Sequence, residues 1–121
     1  MKHYIGTDII EIARIEQTID RWGERFLRRV YTEPELNLYG QRPQALAAGF
    51  ASKEAVMKVL GTGTKGIGWQ EIETLHHPNG KPFVRLHGRA QQEASKLGIR
   101  EIDVSLSHSR EYATATAIGT T

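Results

Sequence analysis

Eighteen residues framed by a proline and a glycine, positions 43–60, constrain this chain more than any other segment. Pro43 has a fixed φ and no N–H, which suits the first turn of a helix. Gly61 suits the position that ends one. At 1.5 Å per residue the helix is about 27 Å long. It is Ala-rich and apolar, so it reads as a central buried helix that the rest of the chain must cover.

The flanking segments supply the cover. Residues 4–10 read as a strand, with Ile5, Thr7 and Ile9 on one face and Gly6, Asp8 and Ile10 on the other. Ile12, Ile15, Ile19 and Trp22 recur at helical spacing as a core stripe, and Gly23 ends or interrupts that helix. Phe26 and Val30 suggest a second short helical piece. Thr32-Glu33-Pro34-Glu35 is a helix start with a capping box, and the helix should stop by Gly40. A flexible glycine loop, residues 61–68, follows the long helix. Residues 69–76 read as a strand, 78–82 as a turn and 83–86 as the returning strand. Residues 88–97 form a short helix with Ala90, Ala94 and Leu97 inward. Residues 101–107 alternate as a strand, 108–111 turn the chain, and 112–118 return as a strand of small residues. The order predicts an α+β fold: one domain over residues 1–121, its long central helix packed on antiparallel strands and hairpins.

Composition removes several function classes. There is no Cys, so disulfides, thiolate metal sites and Cys nucleophiles are out. The longest mostly apolar run, residues 45–51, is far short of the ~20 residues that span a bilayer. Asp8 and Glu11 arrive before a signal-peptide core can form, so a cytoplasmic protein is expected, with no membrane association. A net charge of +2 gives little bulk attraction to nucleic acid.

The distribution of charge says more. Residues 42–68 hold four basic side chains (Arg42, Lys53, Lys58, Lys65) and one acid, Glu54. Glu54 and Lys58 are four apart on the long helix and share a face, either as an ordinary surface ion pair or as part of a site. Asp8 interrupts an apolar strand. It either faces water or caps the following helix, or else it holds a cation or acts as a base, because a buried carboxylate needs compensation. Two carboxylates without His or Cys favour a hard cation such as Mg²⁺, whose shell phosphate and water usually complete. Gly61, Gly63 and Gly66 match a dinucleotide fingerprint in form, but they follow a helix and precede a strand, the reverse of that fold. The loop is either a connector or a phosphate-approaching loop of another kind. His108, between Ser107 and Ser109, sits at the tip of the last hairpin. Residues 12–30 carry five Arg and three acids, either a solvated face or a docking face for an acidic partner.

The ordered set Ile5-Gly6-Thr7-Asp8-Ile9-Ile10-Glu11-Ile12, Phe50-Ala51-Ser52-Lys53-Glu54-Ala55, Lys58 before Gly61-Thr62-Gly63, Trp69-Gln70-Glu71-Ile72-Glu73, Asn79-Gly80-Lys81-Pro82 and Val104-Ser105-Leu106-Ser107-His108-Ser109 resembles the 4′-phosphopantetheinyl transferase family in its small, holo-[acyl-carrier-protein] synthase class. The resemblance runs through essentially the whole chain. It implies transfer of 4′-phosphopantetheine from coenzyme A to a serine of apo acyl carrier protein, with release of adenosine 3′,5′-bisphosphate, as a step in fatty acid biosynthesis. It also implies Mg²⁺ on Asp8 and Glu54, with Lys58 near the diphosphate. Gly61, Thr62, Gly63, Lys81, Pro82, Ser107 and His108 then approach coenzyme A. Arg14, Arg21 and Arg28 are assigned to carrier-protein docking, Arg28 if the helix continues past Gly23. The family is typically a homotrimer with sites between subunits, where Asp8 and Glu54 would meet across an interface. The larger class has a second acid two residues after the first Asp, and Ile10 stands there in this chain. Many members also have Arg where this chain has Gly49, so a phosphate contact from that Arg is absent or supplied elsewhere.

Two other classes are weighed beside this one. A non-catalytic coenzyme A or nucleotide-binding module would need the loop but not both acids. A small nucleic-acid binder would want clustered strand aromatics or an arginine-rich tail, and the chain has neither.

Overall fold

The structure, a computed structural model, describes residues 1–63 and 66–121. Thr64 and Lys65 of the expected glycine loop therefore lie outside the described residues. The elements run β1 (His3–Glu11), α1 (Ile12–Trp22), α2 (Glu24–Val30), α3 (Glu33–Tyr39), α4 (Pro43–Leu60), a 3-10 turn (Trp69–Glu71), β2 (Ile72–His76), β3 (Pro82–Leu86), α5 (Gly88–Lys96), β4 (Glu101–His108) and β5 (Tyr112–Thr120). The expected α+β class is what is found.

The first sheet has the antiparallel order β1-β5-β4, with Asp8 opposite Ala115 and Leu106 opposite the same alanine. The second is the β2-β3 hairpin. Helix α4 lies on the inner face of the first sheet, against β1 and β5. Small residues make this approach feasible: Ala113, Ala115, Ala117 and Gly119 line β5 under the helix, all buried. Gly6 is the tightest point. A Cβ there would overlap the Ala55 carbonyl oxygen, so only glycine lets the strand and the helix backbone meet.

Local signals set the helix ends. Thr32 Oγ1 accepts the Glu35 N–H while the Glu35 carboxylate accepts the Thr32 N–H, the reciprocal cap expected at α3. Gly61 takes the left-handed conformation that closes α4. At Gly23 the φ of 54° divides α1 from α2, so the arginines on either side do not share one continuous helix.

Three expectations need correction. Residues 69–71 curl into a 3-10 turn rather than opening a strand. The Gln70 side-chain amide donates to the Arg28 and Tyr31 carbonyls, and the Lys53 ammonium holds the Trp69 and Ile72 carbonyls. Trp22 is 49% exposed, so the core stripe of α1 rests on Ile12 and Ile15. His108 is the last residue of β4, paired with Ala113, rather than the hairpin tip. Lys53, one of the four basic residues of the 42–68 stretch, is wholly buried.

Among the described residues every buried side-chain nitrogen and oxygen has a hydrogen-bond partner. Lys53 Nζ donates to Glu35 Oε1 at 2.8 Å, the Trp69 carbonyl at 3.1 Å and the Ile72 carbonyl at 2.5 Å. Glu35 Oε2 accepts the Thr74 N–H, and Thr74 Oγ1 pairs with Ser52. The Thr32 hydroxyl donates to Glu73, which also meets His87. This network ties α3, α4 and β2 together where apolar packing alone would leave them free to slide.

Candidate active site

Asp8 projects from the inner face of β1 beside α4. Glu54 and Lys58 project from α4 toward the same region. Asp8, Glu54, Arg14, Ile10, Phe26 and Phe50 line one cavity of about 300 Å³. The two carboxylates thus meet within a single chain, and no interface is needed to bring them together. Lys58 Nζ donates to the Thr7 carbonyl at 2.8 Å and stands 3.4 Å from Asp8 Oδ1.

The electrostatics show how close these groups are. Burial, and then the Asp8 charge, push the Glu54 carboxyl above its ordinary range, while Lys58 pulls it back in part. A carboxylate whose charge is disfavoured by a neighbouring carboxylate is suited to sharing a cation with it. Among the described residues no cluster of three or more His, Cys, Asp or Glu forms. The chain offers two oxygen-bearing side chains, which fits a hard divalent ion that takes its other ligands from phosphate or water.

A second cavity, about 440 Å³, is lined by Tyr39, Arg42, Gly49, Pro82, Ser107 and His108, among others. It brings together three of the residues assigned to coenzyme A. Gly49 belongs there for a steric reason: a Cβ would lie 2.6 Å from Tyr39 Cε2. The Tyr39 hydroxyl is held by the Thr74 carbonyl, so the ring does not yield. Lys81 is exposed, with its N–H bonded to Asn79 Oδ1, and does not line this cavity. Gly61, Thr62 and Gly63 follow the far end of α4, about 18 Å along the axis from Gly49, and do not line it either. At about 100° per residue, Gly49 and Glu54 point about 140° apart, so the two cavities open on opposite sides of α4.

Of the docking arginines, Arg14 lines the carboxylate cavity and Arg21 lies 5.2 Å from the Trp22 ring centre. Arg28 is engaged by Glu24 at 3.1 Å. A third cavity, about 590 Å³, holds Trp22, Arg25, Phe26, Arg29, Phe50 and Trp69. Arg25 and Arg29 belong to the arginine-rich stretch of residues 12–30 but are not among the docking residues expected from it. Their signal is the four-residue spacing that sets both beside Phe26. Phe50, stacked on Trp69 at 4.8 Å, is common to this cavity and the carboxylate cavity.

The family model for the 4′-phosphopantetheinyl transferase superfamily matches residues 4–117. A holo-[acyl-carrier-protein] synthase of Herpetosiphon aurantiacus is 52% identical over 121 residues, covering 94% of this chain and 95% of that protein. The crystal structure of holo-[acyl-carrier-protein] synthase from Neisseria meningitidis superposes with a TM-score of 0.89 at 30% identity, covering 98% of both chains. The Helicobacter pylori synthase, solved in complex with coenzyme A, gives a TM-score of 0.88 at 30% identity, covering 96% of this chain and 99% of that one.

Proposed function

This chain belongs to the holo-[acyl-carrier-protein] synthase family of the 4′-phosphopantetheinyl transferase superfamily, and on that footing we propose that it moves 4′-phosphopantetheine from coenzyme A to a serine of apo acyl carrier protein, with Mg²⁺ and with release of adenosine 3′,5′-bisphosphate. The observation that carries this reading is the convergence of Asp8 and Glu54 on one cavity, with the Lys58 ammonium 3.4 Å from Asp8.

Asp8 and Glu54 would hold the ion. When bound, it neutralises diphosphate charge and orients the bond that breaks. Lys58 stabilises negative charge as it develops on the departing phosphate. The attacking serine hydroxyl needs a proton acceptor, and Glu54, with its carboxyl pushed up by burial and by Asp8, suits that role. In the second cavity, Arg42 is the arginine available where many relatives carry one at the place of Gly49. Ser107, His108 and Pro82 form the rest of that wall, with Lys81 and the Gly61-Thr62-Gly63 segment as outer contacts.

Two observations support a homotrimer with sites between subunits. The coenzyme A residues and the carboxylates open on opposite sides of α4, so one ligand touching both would draw them from different copies. The outer face of the first sheet also exposes Ile5 (67%), Ile9 (62%) and Ile118, an apolar patch that a further copy would cover. Arg14, in the carboxylate cavity, and Arg21, over the Trp22 ring, form the proposed docking face for the acidic carrier; Arg28 lies across the Gly23 break and is engaged by Glu24, so it is left out of that face. The reaction is proposed as a cytoplasmic step of fatty acid biosynthesis. Among the described residues no helix is long and apolar enough to cross a membrane.

The test is mass spectrometry of apo acyl carrier protein incubated with this chain, coenzyme A and Mg²⁺. A phosphopantetheine mass gain on one serine is expected. Ligand binding without Mg²⁺ and without any mass gain would make the chain a binding module instead.

A further inference from the structure

Lys58 stands where a cation is wanted. Asp8, Glu54 and Lys58 together sum to a charge of −1, and to −2 once the ammonium leaves. Its hold on Asp8 is loose. The 3.4 Å separation from Oδ1 is longer than the 2.7–2.9 Å of a strong charge-assisted bond, and the Lys58 side chain is 52% exposed. The firmer contact, 2.8 Å, is to the neutral Thr7 carbonyl. A flexible four-carbon stem lets the ammonium swing while its Cα stays fixed on α4.

We propose that Lys58 is the resident counter-ion of Asp8 in the metal-free chain, and that a divalent cation binds by displacing its ammonium from that carboxylate. The proposal rests on the reading of Asp8 and Glu54 as metal ligands. Two positive charges at one carboxylate repel, so occupancy by either weakens the other by the same factor. The displaced ammonium is left facing solvent, free for an anionic group brought to the cavity. Metal entry and arming of Lys58 for phosphate are then one event. The ion must leave Lys58 unneutralised by Asp8 before the lysine can serve a phosphate oxygen.

Mn²⁺ binding to the chain alone, followed by electron paramagnetic resonance without coenzyme A, tests this. Lys58→Met should bind Mn²⁺ about fivefold or more tightly than wild type, and the gap should narrow with added salt. Lys96→Met, a change to an exposed lysine of α5, controls for net charge and should match wild type. After reductive ¹³C-methylation, the Lys58 dimethylamine resonance should shift on Mg²⁺ titration in wild type and stay fixed in Asp8→Asn. Equal or weaker Mn²⁺ binding by Lys58→Met, with binding still lost in Asp8→Asn, overturns the counter-ion proposal and leaves the metal site standing. Mn²⁺ binding indifferent to both Asp8→Asn and Glu54→Gln overturns the metal site and the proposal together.

Discussion

Lys53 and Lys58 lie five residues apart on one helix and live in opposite worlds. Lys53 is wholly buried, and its three donors meet three acceptors at 2.5 to 3.1 Å. Burial pushes its pKa down, and the Glu35 carboxylate works against that push. Lys58 is half exposed, with one short bond and one long one. The first lysine is spent on the fold, since removing it strands a buried carboxylate and two carbonyls. The second has capacity left over. A charge that is fully answered holds structure, and one that is partly answered is available for chemistry.

The sharpest test of that division falls on the carboxylates of the open set. Asp8→Asn and Glu54→Gln should each lower the transfer rate by about 10³-fold with little change in melting temperature. A variant that keeps a near wild-type rate at limiting Mg²⁺ removes that residue from the site. On the closed side, Lys53→Met should cost about 3–5 kcal/mol of stability in urea denaturation, and Lys53→Met with Glu35→Leu should recover much of it. A single variant as stable as wild type would erase the distinction between the two lysines.

Lys58→Met should reduce kcat about 10²-fold while stability and the KM for coenzyme A stay nearly constant. An unchanged kcat with a raised KM would make Lys58 an ordinary binding residue. Charge reversal farther out, Arg14→Glu or Arg21→Glu, should raise the KM for the carrier protein about tenfold, leave that for coenzyme A nearly unchanged and flatten the salt dependence. Equal weakening for both substrates would show that these arginines support the fold or the assembly.

The smallest effect concerns Glu73. Burial pushes its carboxyl up, but the Thr32 hydroxyl and the His87 and Arg85 charges pull it down further, for a net lowering. A lowered folded pKa contributes stability above the unfolded Glu value of about 4.3, and this is lost as pH falls through the folded value. Thermal melts from pH 7 to pH 3 should show a shallower acid limb in Glu73→Gln. An identical limb would mean that Glu73 does not couple protonation to folding.

How much of this was legible depends on the range of the forces involved. The α3 cap and the ends of α4 are written locally, in Thr32 with Glu35 and in Pro43 with Gly61, and the structure keeps them where the sequence puts them. The turn at residues 69–71 is imposed by Lys53 and Gln70 reaching partners far along the chain, and strand-like residues there carry no sign of it. Periodicity marks Trp22 as part of an apolar stripe, but it is silent on how fully other elements cover that end, and about half of Trp22 stays exposed beside a cavity. Grouping Asp8, Glu54 and Lys58 needed the family pattern, because the three come from two elements whose packing rests on the missing Cβ of Gly6.

The strand order carries a consequence for how the molecule is made. β5 is the middle strand of its sheet, yet it is synthesised after both of its neighbours, and the Thr7 hydroxyl bonds a carbonyl 108 residues downstream. Until β5 leaves the ribosome, β1 and β4 have no partner, and α4 lacks the alanine-lined floor it rests on. The nascent chain therefore carries α4 without its alanine-lined floor, and β1 without a partner, from Leu60 until β5 is made, whereas β4 precedes β5 by only a few residues. Folding waits on the last strand, and a stall before Tyr112 releases a chain primed to aggregate.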